Sequence, residues 1–340
     1  MALEGAAAGG PSVYVYDPLD QPVEWLVERG VQVTLGAPLY SPGRSRPKMP
    51  PEDLIAGAQG HAALLGASGA FITGEVMQAI PTLRCISKLG IGYEVIDVSA
   101  ATELGILVTN TPVHGEVGPV AEHAVALMLA LSRQLHWYDV SYVRRGGWRD
   151  PEHMAVTLEG ATVGIIGFGN VGRAVARRLS GWGCRILAAD PVDFGTVAGV
   201  ERVDLATLLA ASDIVTLHTP GRSKDEGPLL DAHHLGLMKR GALLVNTARG
   251  NLVDQPALVA RLTTGDLGGA AIDVFSPEPP AEDTPLLSAP NLIATPHVAA
   301  WSPQVRKEMV MTAFRNLWTA LQGGVPEHLV NPEVLDEVRR

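Results

Sequence analysis

Cysteine is scarce in this chain. Cys85 and Cys184 are the only two among 340 residues, too few for a disulfide framework or a thiolate metal cluster, and no metal site is expected. Each falls in an apolar, strand-like run and reads as a small buried side chain of a reducing compartment. Basic residues are outnumbered, 26 Lys and Arg against 36 Asp and Glu, for a net charge of -10. That balance argues against a nucleic-acid surface, because phosphate backbones are met by basic stripes. An uncharged apolar run of about 20 residues is also missing, so no membrane span is expected. Residues 1–10 lack the basic start and apolar core of a signal peptide and read as a flexible arm. The cytoplasm is the expected location.

What is present is hydrophobic content of 46%, enough for two cores, and an alternation of short apolar runs with helical stretches. Val13-Tyr-Val-Tyr16, Val31-Gln-Val-Thr34, Ala62-Ala-Leu-Leu65 and Cys85-Ile-Ser87 read as strands, with helices near 22–29, 51–58 and 73–80 between them. The segment 41–51 is a proline-rich surface loop. A second domain is expected after Gly105. It holds a long helix over about 119–145 and strands at 213–217, 243–246, 270–273 and 292–295. Leu127, Met128, Leu131 and Leu135 at helical spacing read as core and subunit interface. A last helix over 303–321 has no sheet of its own in sequence. The fold class is α/β, with two doubly wound parallel sheets.

Val163-Gly-Ile-Ile166 is an apolar strand running into Gly167-x-Gly169-x-x-Gly172 and a helix-like stretch. Cys184-Arg-Ile-Leu-Ala-Ala-Asp190 follows as a strand with an acid at its carboxyl end. The glycines permit a tight turn and close approach of a pyrophosphate to a helix amino terminus, and Asp190 is placed to take the ribose hydroxyls. Asp190 repels a 2′-phosphate, and Pro191, Val192 and Asp193 offer no cation to accept one. NAD is therefore expected over NADP. In the last third, Arg249 in Thr-Ala-Arg-Gly, Glu278 among prolines and His297 in Thr-Pro-His follow in order. An anion clamp, a carboxylate and an imidazole suit acid–base chemistry beside a small carboxylate. His61, His233, His234 and His328 have no such context and read as surface residues.

The ordered series Leu89-Gly-Ile-Gly-Tyr-Glu-Val-Ile-Asp97, Gly105-Ile-Leu-Val-Thr-Asn-Thr-Pro112, Val120-Ala-Glu-His123, the glycine fingerprint, His218-Thr-Pro220 and the Arg249, Glu278 and His297 segments resembles the D-2-hydroxyacid dehydrogenases. This group includes the phosphoglycerate, D-lactate and glyoxylate/hydroxypyruvate enzymes. The resemblance implies a flavodoxin-like substrate domain from 1–105 with 298–340, a Rossmann NAD domain from 106–297, and an active site in the cleft between them. It implies hydride transfer between nicotinamide and C2 of a 2-hydroxy acid. Arg249 holds the carboxylate and C2 oxygen, helped by backbone amides at Gly90 and Ile91. His297 moves the proton, and Glu278 supports its imidazolium. Asp273 meets the carboxamide, while Thr111, Asn170, Val171, Thr219, Thr247 and Ala248 line the dinucleotide with Gly167, Gly169, Gly172 and Asp190. A homodimer through the Rossmann domain is also implied, without the regulatory tail domain of long phosphoglycerate dehydrogenases.

Glu94-Val95, Gly118-Pro119, Val298-Ala-Ala300 and Trp301 depart from the family's commonest residues and bear on the substrate, not the reaction class. Lys88 stands where phosphoglycerate dehydrogenases tend to carry an arginine. It is a candidate for a second anionic group on the substrate, or else a lysine with its ammonium in solvent. Two other readings stand beside the dehydrogenase: an NAD-sensing regulator of the corepressor type, and an oxidoreductase or hydrolase outside this family that shares the dinucleotide fold, including the formate and phosphite dehydrogenase branches. Glutamate rather than glutamine at position 278 argues against the formate branch.

Overall fold

The structure, a computed structural model, describes residues 10–18, 22–37, 48–222 and 224–338 of the chain. The amino-terminal arm through residue 9 and positions 38–47, with most of the proline-rich segment, lie outside the described residues. The chain forms two compact units, 1–115 with 303–340, and 116–302.

In the first unit, β1 (Ser12–Val15), β2 (Gln32–Leu35), β3 (Ala63–Gly66), β4 (Cys85–Lys88) and β5 (Leu107–Thr109) make a parallel sheet in the order β2-β1-β3-β4-β5. This is the flavodoxin-like order. Strands covered by helices on both faces must be apolar throughout, which is why β3 reads Ala-Leu-Leu-Gly, buried at every position, rather than alternating. The helix Pro303–Leu321 supplies one cover: Val310, Ala313, Phe314 and Leu317 share a core with Val13, Val15 and Leu65. Ser87 Oγ, buried in β4, donates to the Ala313 carbonyl at 3.2 Å. The boundary drawn in sequence after Gly105 needs correction. Leu107–Thr109 pairs with β4, so the first unit continues to Gly115. Three residues are too short a run to separate from the loop that follows.

In the second unit, β6 (Thr162–Ile166), β7 (Arg185–Ala189), β8 (Val200–Arg202), β9 (Ile214–Leu217), β10 (Ala242–Asn246), β11 (Leu267–Ile272) and β12 (Leu292–Ala294) form a parallel sheet in the order β12-β11-β10-β9-β6-β7-β8. The winding reverses between β6 and β9, and ligands of such sheets bind beyond the carboxyl strand ends at that reversal. The helix Val117–Ser132 accommodates Pro119 in its first turn, where a missing N–H costs nothing. It does not run on to 145 as the sequence suggested. Gln134 adopts a left-handed conformation, φ 56°, and a separate short helix, Val140–Arg144, follows. Leu127, Met128 and Leu131 are core, while Leu135 lies beyond the helix end and is exposed.

Part of the acidic excess is structural. Asp97, Asp139, Asp204, Asp231 and Asp254 each cap a helix by accepting a backbone N–H two or three residues into it. Such carboxylates also meet the positive end of the helix dipole. Among the described residues no helix is long and apolar enough to cross a membrane.

Candidate active site

The nucleotide end of the second unit is built from main chain. Gly167 has φ +88°, and a Cβ there would lie 2.6 Å from the His218 carbonyl carbon. At Gly172 a Cβ would lie 2.2 Å from the Gly167 carbonyl oxygen, so that glycine lets the helix Asn170–Leu179 close on β6. Gly169, the residue before that helix, is different: a Cβ there would meet nothing within 4 Å. Open space in front of a helix amino terminus whose first residues are Asn170 and Val171 suits a pyrophosphate. Asp190 lies beyond β7, and its two oxygens accept the N–H groups of Phe168 at 2.7 Å and Val192 at 2.8 Å. The strand-end acid thus ties the glycine turn to its own loop before any ribose arrives.

Cations that the sequence reading did not place beside Asp193 arrive through tertiary contacts. Arg202 of β8 donates to Asp193 at 2.7 Å, and the guanidinium groups of Arg202 and Arg173 lie 5.4 and 5.8 Å from the Phe194 ring centre. Arg202 is already matched to a carboxylate.

The corner that holds the candidate acid–base residues is built from side chains at the ends of β10, β11 and β12. After β10, the Asn246 side chain shapes the turn, accepting from Ala248 N at 3.0 Å and donating to the Arg249 carbonyl at 2.9 Å. Thr247 is buried in this turn, and its hydroxyl has no partner among the described residues. Arg249 Nη1 donates to the Ala248 carbonyl at 2.7 Å, and Gly221 lies against its stem. A Cβ on Gly250 would lie 2.0 Å from the Phe275 carbonyl carbon, so this glycine brings the loop after β10 against the loop after β11. In that second loop Glu278 accepts from Phe275 N at 2.8 Å through one oxygen and meets His297 Nδ1 at 2.8 Å through the other. The Glu278 hydrogen bond is the main reason the imidazole is held above its ordinary range. Burial opposes it, the charges of Glu278 and Asp273 add to it, and Arg249 opposes it. Glu278, a loop carboxylate in sequence, is therefore a partner of His297.

Asp273, just beyond β11, is fully buried. Burial pushes its carboxyl up, but hydrogen bonds from His123, Thr295, Val298 N and Ala299 N outweigh that and hold it below the usual range. The distances are 2.6 Å from Thr295 Oγ1, 2.9 Å from Val298 N and 2.8 Å from Ala299 N. Hydrogen bonds to a charged group are worth about 1.5–3 kcal/mol each, enough together to offset a desolvation cost of several kcal/mol. His297 N donates to the Asp273 carbonyl at 2.8 Å, and the residue sits at φ 54°, strained for a side chain with a Cβ. Residues 295–299 are thus wrapped around Asp273. Sequence reading missed Asn246, Thr295 and the role of His123 in this network, because each is a common polar residue whose partner is distant in sequence.

In the first unit, Lys88 ends β4 almost fully buried, with its ammonium donating to the Leu89 carbonyl at 2.6 Å. It is not a lysine with its charge in solvent. Gly90, φ +109°, donates its N–H to Thr111 Oγ1 at 2.7 Å, so this amide is already engaged. Ile91 is exposed, and its carbonyl accepts from Asn110. Thr111 belongs to this unit rather than to the unit with the glycine fingerprint. Thr219 and Ala248 lie in the second unit, after β9 and β10, and a Cβ on Gly167 would lie 2.7 Å from Thr219 N.

The model of the D-isomer specific 2-hydroxyacid dehydrogenase NAD binding domain matches residues 125–299. A glyoxylate reductase of Korarchaeum cryptofilum is 42% identical over 272 residues, 78% of this chain and 81% of the relative. A D-3-phosphoglycerate dehydrogenase of Archaeoglobus fulgidus is 35% identical over 323 residues, 94% of this chain and 59% of the longer relative. The crystal structure of a glyoxylate reductase from Paecilomyes thermophila superposes with a TM-score of 0.80 at 27% identity, covering 96% of this chain and 99% of that one.

Proposed function

The chain belongs to the D-isomer specific 2-hydroxyacid dehydrogenase family, with NAD as cofactor, and from that premise we propose that it interconverts a small D-2-hydroxy acid and its 2-keto acid, with His297 as general acid and base. The observation that carries this is the His297–Glu278 contact of 2.8 Å, made beside Arg249. Nδ1 is committed to Glu278, so Nε2 takes the hydroxyl proton in oxidation and returns it in reduction. Glu278 fixes the tautomer and favours the imidazolium that reduction consumes. Arg249 offers a forked guanidinium to the substrate carboxylate, with one end steadied by Ala248. The nicotinamide, when bound, accepts or supplies the hydride at C2. Gly167, Gly169, Gly172, Asn170, Val171 and Asp190 are the groups of the second unit proposed to hold the dinucleotide, with Thr219, Thr247, Ala248 and Asp273 beside them.

Turnover of glyoxylate, hydroxypyruvate, pyruvate and a phosphorylated 2-keto acid, each with NADH and with NADPH, tests the reading. The expected result is turnover of at least one acid, with NADH preferred, since Asp190 disfavours a 2′-phosphate and Arg202 is engaged by Asp193. Tight NADH binding with no turnover on any acid would replace this reading by a regulatory one.

The partner proposed is a second copy of the chain, meeting it through the nucleotide-binding unit. Leu135, Val140, Val143, Trp148 and Met154 are all exposed in the segment after the helix Val117–Ser132, and exposed large apolar side chains gathered in one segment favour association. Sedimentation velocity at micromolar concentration should show a dimer. Both cysteines are free thiols, which suits the cytoplasmic location proposed.

A further inference from the structure

His123, on the helix Val117–Ser132, takes no part in the proposed proton transfer, yet it is joined to the buried carboxylate behind His297. Its Nε2 lies 3.1 Å from Thr295 Oγ1 and 3.6 Å from Asp273 Oδ1, with the ring largely shielded from solvent. Thr295 Oγ1 lies 2.6 Å from the same Asp273 oxygen. A carboxylate only accepts, so the hydroxyl hydrogen goes to Asp273. The hydroxyl oxygen then accepts from His123, whose Nε2 must carry a hydrogen. The result is a directed chain, His123 N–H to Thr295 O–H to Asp273, that ends on the group accepting Val298 N and Ala299 N. Between those two amides and Thr295 sits His297, at φ 54°.

A left-handed histidine persists only where its surroundings over-determine it, the cost of such a conformation being about 1–3 kcal/mol. Asp273 supplies that constraint. Without His123 the Thr295 hydroxyl is no longer fixed from its far side, and one oxygen of Asp273 loses the donor chain that aligns it. We propose that His123 is a positioning residue for the reaction centre: acting through Thr295, it orients Asp273, which holds the turn that presents His297 to its substrate and to Glu278. The requirement is for an N–H donor at the Nε2 position, not for a charge. The inference rests on the assignment of His297 as the acid–base group only for its effect on turnover, since the geometric link stands without it.

The test uses the full chain with three variants, His123→Ala, His123→Gln and Thr295→Val. Two readouts are taken: kcat on the best 2-keto acid, and the titration of the His297 ring by NMR on 15N-histidine-labelled protein without substrate. The His297 signal is assigned by its loss in His297→Ala. The groups whose charges act on His297 are Glu278, Asp273 and Arg249, and none is altered. Glutamine places an amide N–H near the position of Nε2 and should keep kcat within a few fold. Alanine and valine should lower kcat roughly ten- to a hundredfold, the cost of displacing a reacting group by about 1 Å. They should also move the His297 titration down toward the ordinary value as the Glu278 contact loosens. Wild-type kcat and titration in His123→Ala would overturn the proposal, as would a His123→Gln variant as impaired as alanine. If His123→Ala does not fold, Thr295→Val decides: a normal His297 titration there rejects the chain, and a lowered one supports it. If the wild type turns over no 2-keto acid, the functional reading fails while the titration still decides this one.

Discussion

The candidate nucleotide loop at the ends of β6 and β7 is made of backbone, and the candidate acid–base corner at the ends of β10, β11 and β12 is made of side chains. In the first, Gly167 and Gly172 do the shaping while Gly169 leaves open space, and the one acid, Asp190, is partly exposed and satisfied by local N–H groups. In the second, a fully buried acid, Asp273, gathers donors from residues separated by more than 20 positions. A loop made of backbone can be encoded by short spacing. A corner made of side chains needs three strand ends brought to the same edge of a sheet.

The sharpest way to break the contrast is at its chemical end. His297→Ala should bind NADH as the wild type does yet lose roughly two to four orders of magnitude in kcat, the usual worth of a positioned acid–base group. NADH fluorescence titration and steady-state turnover separate the two effects, and near-normal turnover at saturating substrate would remove His297 from the mechanism.

The glycines divide the nucleotide loop itself. Gly169→Ala should leave stability unchanged, because a Cβ there meets no protein atom. It should weaken NADH by about tenfold or more, the loss of about one hydrogen bond to a charged group at 1.5–3 kcal/mol. Gly172→Ala should destabilise the unit by about 1–3 kcal/mol through overpacking, since its Cβ would lie 2.2 Å from the Gly167 carbonyl oxygen. Urea unfolding and NADH binding measured on both variants check this. Equal effects on both readouts would mean that the two glycines share one role.

A smaller effect is expected from Glu278→Gln, read as a pH profile. Glu278 raises the His297 pKa, and keto-acid reduction needs the imidazolium, so reduction is lost as pH rises through that raised value. Without the carboxylate the pKa falls and the loss of reduction moves to lower pH. Oxidation needs neutral imidazole, so its rise should move to lower pH as well. A profile that does not move would mean that Glu278 only braces the loop through Phe275.

The smallest effect concerns the first unit. Lys88 is buried, and its ammonium is held by the Leu89 carbonyl, so it offers a fixed point charge rather than a solvated one. Lys88→Ala should cost a phosphorylated 2-keto acid several-fold more in kcat/KM than a plain one. Parallel assays of the two acids decide it, and an equal loss on both would favour a small acid without a second anionic group.

The sequence by itself determined the two-sheet α/β class and the glycine turn with Asp190, and it singled out Arg249, Glu278 and His297 as candidates. The glycine turn was legible because its parts lie within about 20–25 residues of one another along the chain. The three later residues became legible only through their ordered motif neighbours. Glu278 shows the limit: among prolines it looks by itself like a solvated loop carboxylate, and its role came from the resemblance of its motif, while its partner, His297, is seen only in the structure. Tertiary structure alone decided that Leu107–Thr109 is a strand of the first sheet, that the long helix stops at Ser132, and that Arg202 reaches Asp193. It also decided that His123 and Thr295 form a hydrogen-bonded chain that ends on Asp273 as acceptor. Spacing along the chain records only what neighbouring residues do together. A buried carboxylate must take its donors from whatever the fold brings within about 3 Å, and those donors come from a helix and from the end of a neighbouring strand, both far from Asp273 in sequence.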